Sequence, residues 1–222
     1  MVIMVGPTGS GKTTTLYAML NLINSPSRNI LTIENLVEYE LPGITQISID
    51  PDQDLDFSNT LRAALRQDPD VILIGEIRDE ETAEIAVKAA LTGHLILTTL
   101  HSRDALTVIQ RLKNLGISAD LLSETLNLIV SQKLVRRLCR HHRRENNCRN
   151  CRGTGYHGRT PLYEILHLNQ ELRDRIRENV SGPALLEGIE GVYFRGMKET
   201  AGLLLEQRIT DKKELRPHLE GF

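Results

Sequence analysis

Eight residues, Gly6-Pro7-Thr8-Gly9-Ser10-Gly11-Lys12-Thr13, fit the spacing G-x-x-x-x-G-K-[ST] and carry phosphate chemistry. The glycines allow a tight turn whose N–H groups face anionic oxygens, and the turn opens a helix whose positive end faces the same charge. Lys12 then reaches the β and γ phosphates of a nucleoside triphosphate such as ATP. The Thr13 hydroxyl ligates its Mg²⁺, and Thr14 completes the binding segment. A second chemistry is written in Cys139-x-x-His142 and Cys148-x-x-Cys151, two short pairs separated by five residues. Four such ligands in x-x spaced pairs suit tetrahedral Zn²⁺, with His141 the alternative to His142 and a set of reduced thiols the alternative to a metal.

Strands and helices must bring these groups together. Residues 1–5 form an apolar run suited to a buried strand, and 14–24 place Leu16, Met19, Leu20 and Ile23 on one helical face. Residues 29–33 read as a second strand with Glu34 and Glu38 at its end, where open α/β sheets bind ligands. Residues 45–49 read as a half-buried strand, and 58–66 as a helix with Ser58 as N-cap, ended by Asp68-Pro69-Asp70. The run Val71 to Ile74 leads straight into Gly75-Glu76-Ile77-Arg78-Asp79, the form of a Walker B element. Glu76 is the expected carboxylate that polarises an attacking water and supports the magnesium shell, while Gly75 stands where many phosphate-loop enzymes carry an Asp. Residues 79–91 read as a helix with Ala83, Ala86, Val87, Ala90 and Leu91 inward. Residues 95–100 form a strand between Gly93-His94 and His101-Ser102, which places His101 to sense the γ phosphate. Amphipathic helices are expected over 171–179 and 192–207. The alternation gives an α/β class.

At 222 residues and 40% hydrophobic content the chain can bury a core, so disorder is excluded as its main state. No stretch approaches the length of a membrane span, and the chain enters the phosphate loop without a signal peptide, so a cytoplasmic location is expected. The net charge of −2 hides an acidic stretch from Glu34 to Glu84 and a basic one from Lys133 to Arg177. Solvated faces explain this, as do complementary surfaces on neighbouring copies or a patch for an acidic partner. Few aromatics interrupt the basic stretch, which argues against a base-stacking platform for nucleic acid.

Four motifs in series resemble the secretion ATPase superfamily of type II secretion and type IV pilus assembly. Residues 6–13 look like its Walker A, 32–39 its acidic box, 70–79 its Walker B with Gly-Glu-Ile-Arg-Asp, and 91–105 its histidine box. The resemblance implies a RecA-like P-loop core over 1–135, a small zinc-binding element over 136–160 and a C-terminal helical subdomain over 161–222. It implies roles for Glu34 and Glu38 as acidic-box carboxylates, Glu76 as the Walker B glutamate, and His94 with His101 as the histidine box. It further implies a hexamer that hydrolyses ATP and acts on an inner-membrane platform protein from the cytoplasmic side, driving pilin or pseudopilin assembly. Gly75 agrees with the family; Asn35, Leu36 and Arg103 depart from it. The family's N-terminal domain, which supplies arginines to the nucleotide, is expected to be missing, so hydrolysis by this chain alone is expected to be slow. The four-ligand site, followed by Gly155 to Arg159 and by Tyr163-Glu164, favours the assembly branch over retraction. A RecA-like nucleic-acid motor and a non-catalytic nucleotide-binding subunit are the competing readings.

Overall fold

Strands that are apolar at consecutive positions are stable only where both faces of a sheet are covered, and this chain has several. A computed structural model describes residues 1–49, 56–141, 148–189 and 193–219. Its one eight-stranded sheet runs in the order β3-β2-β4-β5-β1-β6-β7-β8: β1 is Val2–Val5, β2 Ile30–Glu34, β3 Thr45–Ser48, β4 Val71–Ile74, β5 Leu95–Leu100, β6 Leu128–Leu138, β7 Tyr156–His167 and β8 Phe194–Arg195. The first six in that order pair in parallel, and β7 and β8 continue antiparallel.

Alternate residues of the central strands enter opposite cores, as the period of two requires. Ile72, Ile74, Ile3 and Val5 join α2 (Phe57–Leu65), α3 (Glu80–Leu91), α4 (Ala105–Asn114), α5 (Ala119–Thr125) and α6 (Gln170–Arg177). Val71, Leu73, Met4 and Val130 pack with Leu16, Tyr17 and Leu20 of α1 (Lys12–Ile23) on the other face. A third core joins Val135 and Leu162 of the β6–β7 hairpin to α7 (Met197–Glu206) and α8 (Lys212–Leu219). The sheet therefore runs continuously through residues 135 and 160, and α6 belongs to the first core. Among the described residues no helix is long and apolar enough to cross a membrane.

Three local expectations are corrected. Asp56, not Ser58, caps α2: its carboxylate accepts the Asn59 N–H, while Ser58 is the second residue of the helix and is buried. Leu91 faces outward, 50% exposed, because α3 buries Ala89 instead. The helix expected from residue 192 begins at Met197, since Phe194 and Arg195 pair with β7 first.

The register sets the functional edge. Val5 lies opposite Leu100 and Ser131, and Ile33 opposite Ile74. The residues following β1, β2, β4 and β5 thus leave from one edge, the carboxyl edge of the parallel strands.

Candidate functional site

The phosphate loop leaves β1 at that edge and enters α1 through Gly11 in the left-handed conformation. Residues 8–14 line a cleft of about 370 Å³ together with Glu38, Leu134 and Arg159. The Lys12 ammonium donates to the carbonyls of Gly6 (2.9 Å) and Pro7 (3.2 Å), which holds it folded along the loop. Burial lowers the basicity of this ammonium, and the charge of Glu76 opposes that effect. Gln132 of β6 braces the loop from behind: its Nε2 donates to Ser10 O at 2.7 Å and its Oε1 accepts the Thr15 hydroxyl at 3.0 Å.

Three groups converge on the Glu76 carboxylate, which is 8% exposed. Asn35 Nδ2 donates to Oε1 at 2.6 Å, Arg78 donates to the same oxygen, and His101 Nε2 lies 3.5 Å from Oε2. Burial alone would raise the carboxyl's pKa. The hydrogen bond and charge of Arg78, the Asn35 amide and the His101 ring outweigh it and hold Glu76 below the ordinary carboxylate range. Gly75 is needed beside it because β2 comes so close. A Cβ there would sit 3.2 Å from Ile33 O and 3.3 Å from Glu34 Cα, where an Asp would crowd the backbone. Gly75 N–H in turn donates to Ile33 O at 2.7 Å.

The acidic-box pair divides. Glu38 lines the phosphate-loop cleft. Glu34 is buried and turned toward α1: its oxygens accept from the Tyr17 and Thr32 hydroxyls, both at 2.6 Å, and burial together with the bond to and charge of Glu34 pushes the Tyr17 hydroxyl well above its usual range. The two histidines divide as well. His101 follows β5 at the functional edge. His94 precedes β5, where its Nδ1 lies 2.9 Å from Ala89 O at the end of α3. Seven residues of extended chain separate them by roughly 20 Å, so within one chain His94 stands at the edge of the sheet opposite the phosphate loop and does not join the cleft.

Gln132 carries no motif of its own, Arg159 enters the sequence only as the end of the segment after the cysteines, Asn35 only as a departure and Arg78 only as part of a motif. Gln132 and Arg159 come from a hairpin whose pairing no local pattern reveals. Asn35 follows Glu34, so the alternation of side chains along an extended chain could have separated the two.

Cys139, Cys148 and Cys151 are buried, and their sulfurs lie within 4.8 Å of one another. Cys139 Sγ and Cys148 Sγ are 3.7 Å apart. A tetrahedron with Zn–S near 2.3 Å has edges of about 3.8 Å, whereas a disulfide needs about 2.05 Å. The three thiols therefore fit a metal site. His142 lies outside the described residues; His141 is exposed, with its Nδ1 3.0 Å from Asn150 Nδ2.

Comparison with known proteins agrees with this geometry. Residues 1–216 match the family model described as type II/IV secretion system protein. Type II secretion system protein HxcR of Pseudomonas aeruginosa is 47% identical over 206 residues, covering 90% of this chain and 44% of its own length. Type IV pilus assembly ATPase PilB of the same organism is 39% identical over 241 residues, covering 97% of this chain and 42% of its own. The chain thus spans less than half the length of these curated relatives. Among solved structures, the pilus retraction motor PilT with bound ADP superposes with a TM-score of 0.79 at 33% identity, covering 99% of this chain and 61% of its own. The Legionella pneumophila ATPase DotB gives 0.77 at 26% identity, covering 100% and 60%.

Proposed function

The chain belongs to the type II/IV secretion system protein family, and from that premise we propose that it is the ATP-hydrolysing motor portion of a pilus-assembly or secretion ATPase. One observation carries the reading: Lys12, the first residue of α1, and the Glu76 carboxylate just past β4, which accepts from Asn35 and Arg78 with His101 beside it, stand at one sheet edge and feel each other's charge. The Thr8-to-Thr14 segment and Lys12 bind the triphosphate, and Arg159 adds positive charge to the cleft. Thr13 would hold Mg²⁺, which when bound neutralises phosphate charge. Glu76 orients a water whose oxygen attacks the γ phosphorus. The bond to the bridging oxygen breaks, and ATP and water become ADP and inorganic phosphate. Glu38 faces the same cleft, His101 reports the γ phosphate, and Glu34 acts at one remove by fixing Tyr17 against the acidic loop.

The oligomer is read as a hexamer, the partner as an inner-membrane platform protein, and the location as the cytoplasmic face of that membrane. The family resemblance carries these three readings; the names of its relatives, a type II secretion protein for HxcR and a pilus assembly ATPase for PilB, support only the secretion or pilus setting. Phosphate release from Mg-ATP by the purified chain is expected to be measurable and unchanged by single-stranded DNA. DNA-stimulated turnover would point instead to a nucleic-acid motor, and binding without turnover to a non-catalytic subunit.

We assign Cys139, Cys148 and Cys151, with His142 as the fourth ligand, to a structural Zn²⁺. The zinc site and the HxcR and PilB relatives favour the assembly branch over retraction. Structural zinc contributes roughly 10–16 kcal/mol in small domains, so its loss should be plain. Cys148→Ser is expected to reduce bound zinc from about one ion per chain to near none by elemental analysis, with a lower melting temperature. Full zinc occupancy in that variant would remove Cys148 from the ligand set.

A further inference from the structure

Glu164 is a buried carboxylate that the phosphate chemistry does not use. It lies on β7 opposite Ser131 and is 6% exposed. Its Oε1 accepts the N–H of Ala105, the first residue of α4, at 2.8 Å across 59 residues of sequence. Burial pushes its carboxyl up and the charge of Asp104 adds to that, while the Ala105 N–H and Lys133 oppose them. An isolated buried charge is costly and an apolar side chain would not be, so the group needs a reason beyond filling space.

The reason lies in what the first turn of α4 holds. Asp104 caps that helix through the Thr107 N–H at 2.8 Å, and its own N–H donates to Thr107 Oγ1 at 3.2 Å. The Ser102 hydroxyl lies 2.6 Å from the same oxygen. The segment from Ser102 to Asp104 is therefore fastened to the start of α4, and His101, at its head, reaches Glu76. Glu164 ties that start to β7, satisfying a helix N–H that has no partner within the helix. The same strand carries Arg159 into the phosphate cleft and follows directly from the cysteine turn.

We propose that Glu164 is a positioning residue for His101: its bond to Ala105 fixes the start of α4, sets where His101 meets Glu76, and makes the histidine segment move with the β6–β7 hairpin. The proposal rests on the reading of Glu76 and His101 as parts of an ATP site. A carboxylate that merely stabilises α4 would lower the melting temperature without singling out His101.

Two readouts of the full chain separate these roles. In nucleotide-free protein, Glu164→Ala is expected to shift the His101 imidazole proton–carbon NMR signal, while Glu164→Gln, which keeps an acceptor oxygen, restores the wild-type position. In Mg-ATP hydrolysis, Glu164→Ala should lower kcat about tenfold with KM nearly unchanged, because Gln132 braces the phosphate loop independently. In a His101→Ala background the same change should cost less than about twofold. An equal cost in both backgrounds, or an unmoved His101 signal, overturns the proposal. Should Glu164→Ala fail to fold, Glu164→Asp, which withdraws the carboxylate by one methylene, is expected to give the same His101 shift and background dependence, and their absence is equally fatal. If the wild-type chain does not turn over ATP, the motor reading falls, while the His101 signal still decides the role of Glu164.

Discussion

Glu76→Gln is expected to stop phosphate release while nucleotide binding persists. The amide matches the carboxylate in shape and can still bond Asn35, but it cannot take a proton from water or carry charge toward Arg78 and His101. Loss of a general base costs roughly 10²–10⁴-fold in rate. Affinity should hold or rise slightly, because the change removes a negative charge near Lys12 and hence near the phosphates. Stability should change little: the Arg78 side chain is 63% exposed, and such pairs contribute only about 0–1 kcal/mol. Single-turnover hydrolysis and titration with a fluorescent ATP analogue give both numbers. A variant retaining kcat within about tenfold of wild type would remove Glu76 from the proposed role. The pH dependence follows the sign of the shift. A carboxyl held below its ordinary value stays ionised as pH falls past the usual range near 4.3. Glu76 therefore gives no loss of activity between neutrality and that range, and its contribution disappears only at lower pH.

Much of this site is local, which is why it could be read from the chain. The phosphate loop needs only neighbouring residues and the strand and helix on either side. Val71 to Ile74 reads as buried from its own composition, and Glu76 follows from the end of that strand. Legibility fails where the answer depends on which side of a strand, or which of its ends, a residue occupies. Glu34 and Asn35 are adjacent and both polar, yet the pleat sends Glu34 toward Tyr17 and Asn35 toward Glu76. His94 and His101 bracket one strand, and only the parallel register shows that its carboxyl end meets the phosphate loop. Gln132, Arg159 and Glu164 act across more than fifty residues of sequence through the β6–β7 hairpin. Ser58 differs in kind: Asp56 is an equally good cap two positions earlier, and composition does not choose between them.

Gly6→Ala is expected to abolish nucleotide binding, and the contrast with Gly9→Ala shows why. Gly6 has φ 145°, and a Cβ there would lie 2.2 Å from the carbonyl oxygen of Gln132 and 2.8 Å from Ser10 Oγ. The first of these atoms is backbone in β6, which is paired with β1 on one side and β7 on the other. It cannot swing aside as a side chain would. Either the β1–β6 pairing opens or the loop shifts, and the loop carries the Gly6 and Pro7 carbonyls that hold Lys12. Strained backbone costs about 1–3 kcal/mol and overpacking about 1–3 kcal/mol more. Urea unfolding should therefore show a loss of roughly 2–6 kcal/mol, and affinity for Mg-ATP should fall by more than about 100-fold. Gly9 also has positive φ, 76°, but a Cβ there meets nothing within 4 Å. Gly9→Ala should cost only about 1–2 kcal/mol and leave the Lys12 anchors in place. Equal loss of binding in both variants would mean that backbone freedom along the loop, rather than its close seat against β6, governs phosphate recognition. Binding by Gly6→Ala within about tenfold of wild type would show that the loop reaches the phosphates without that seat.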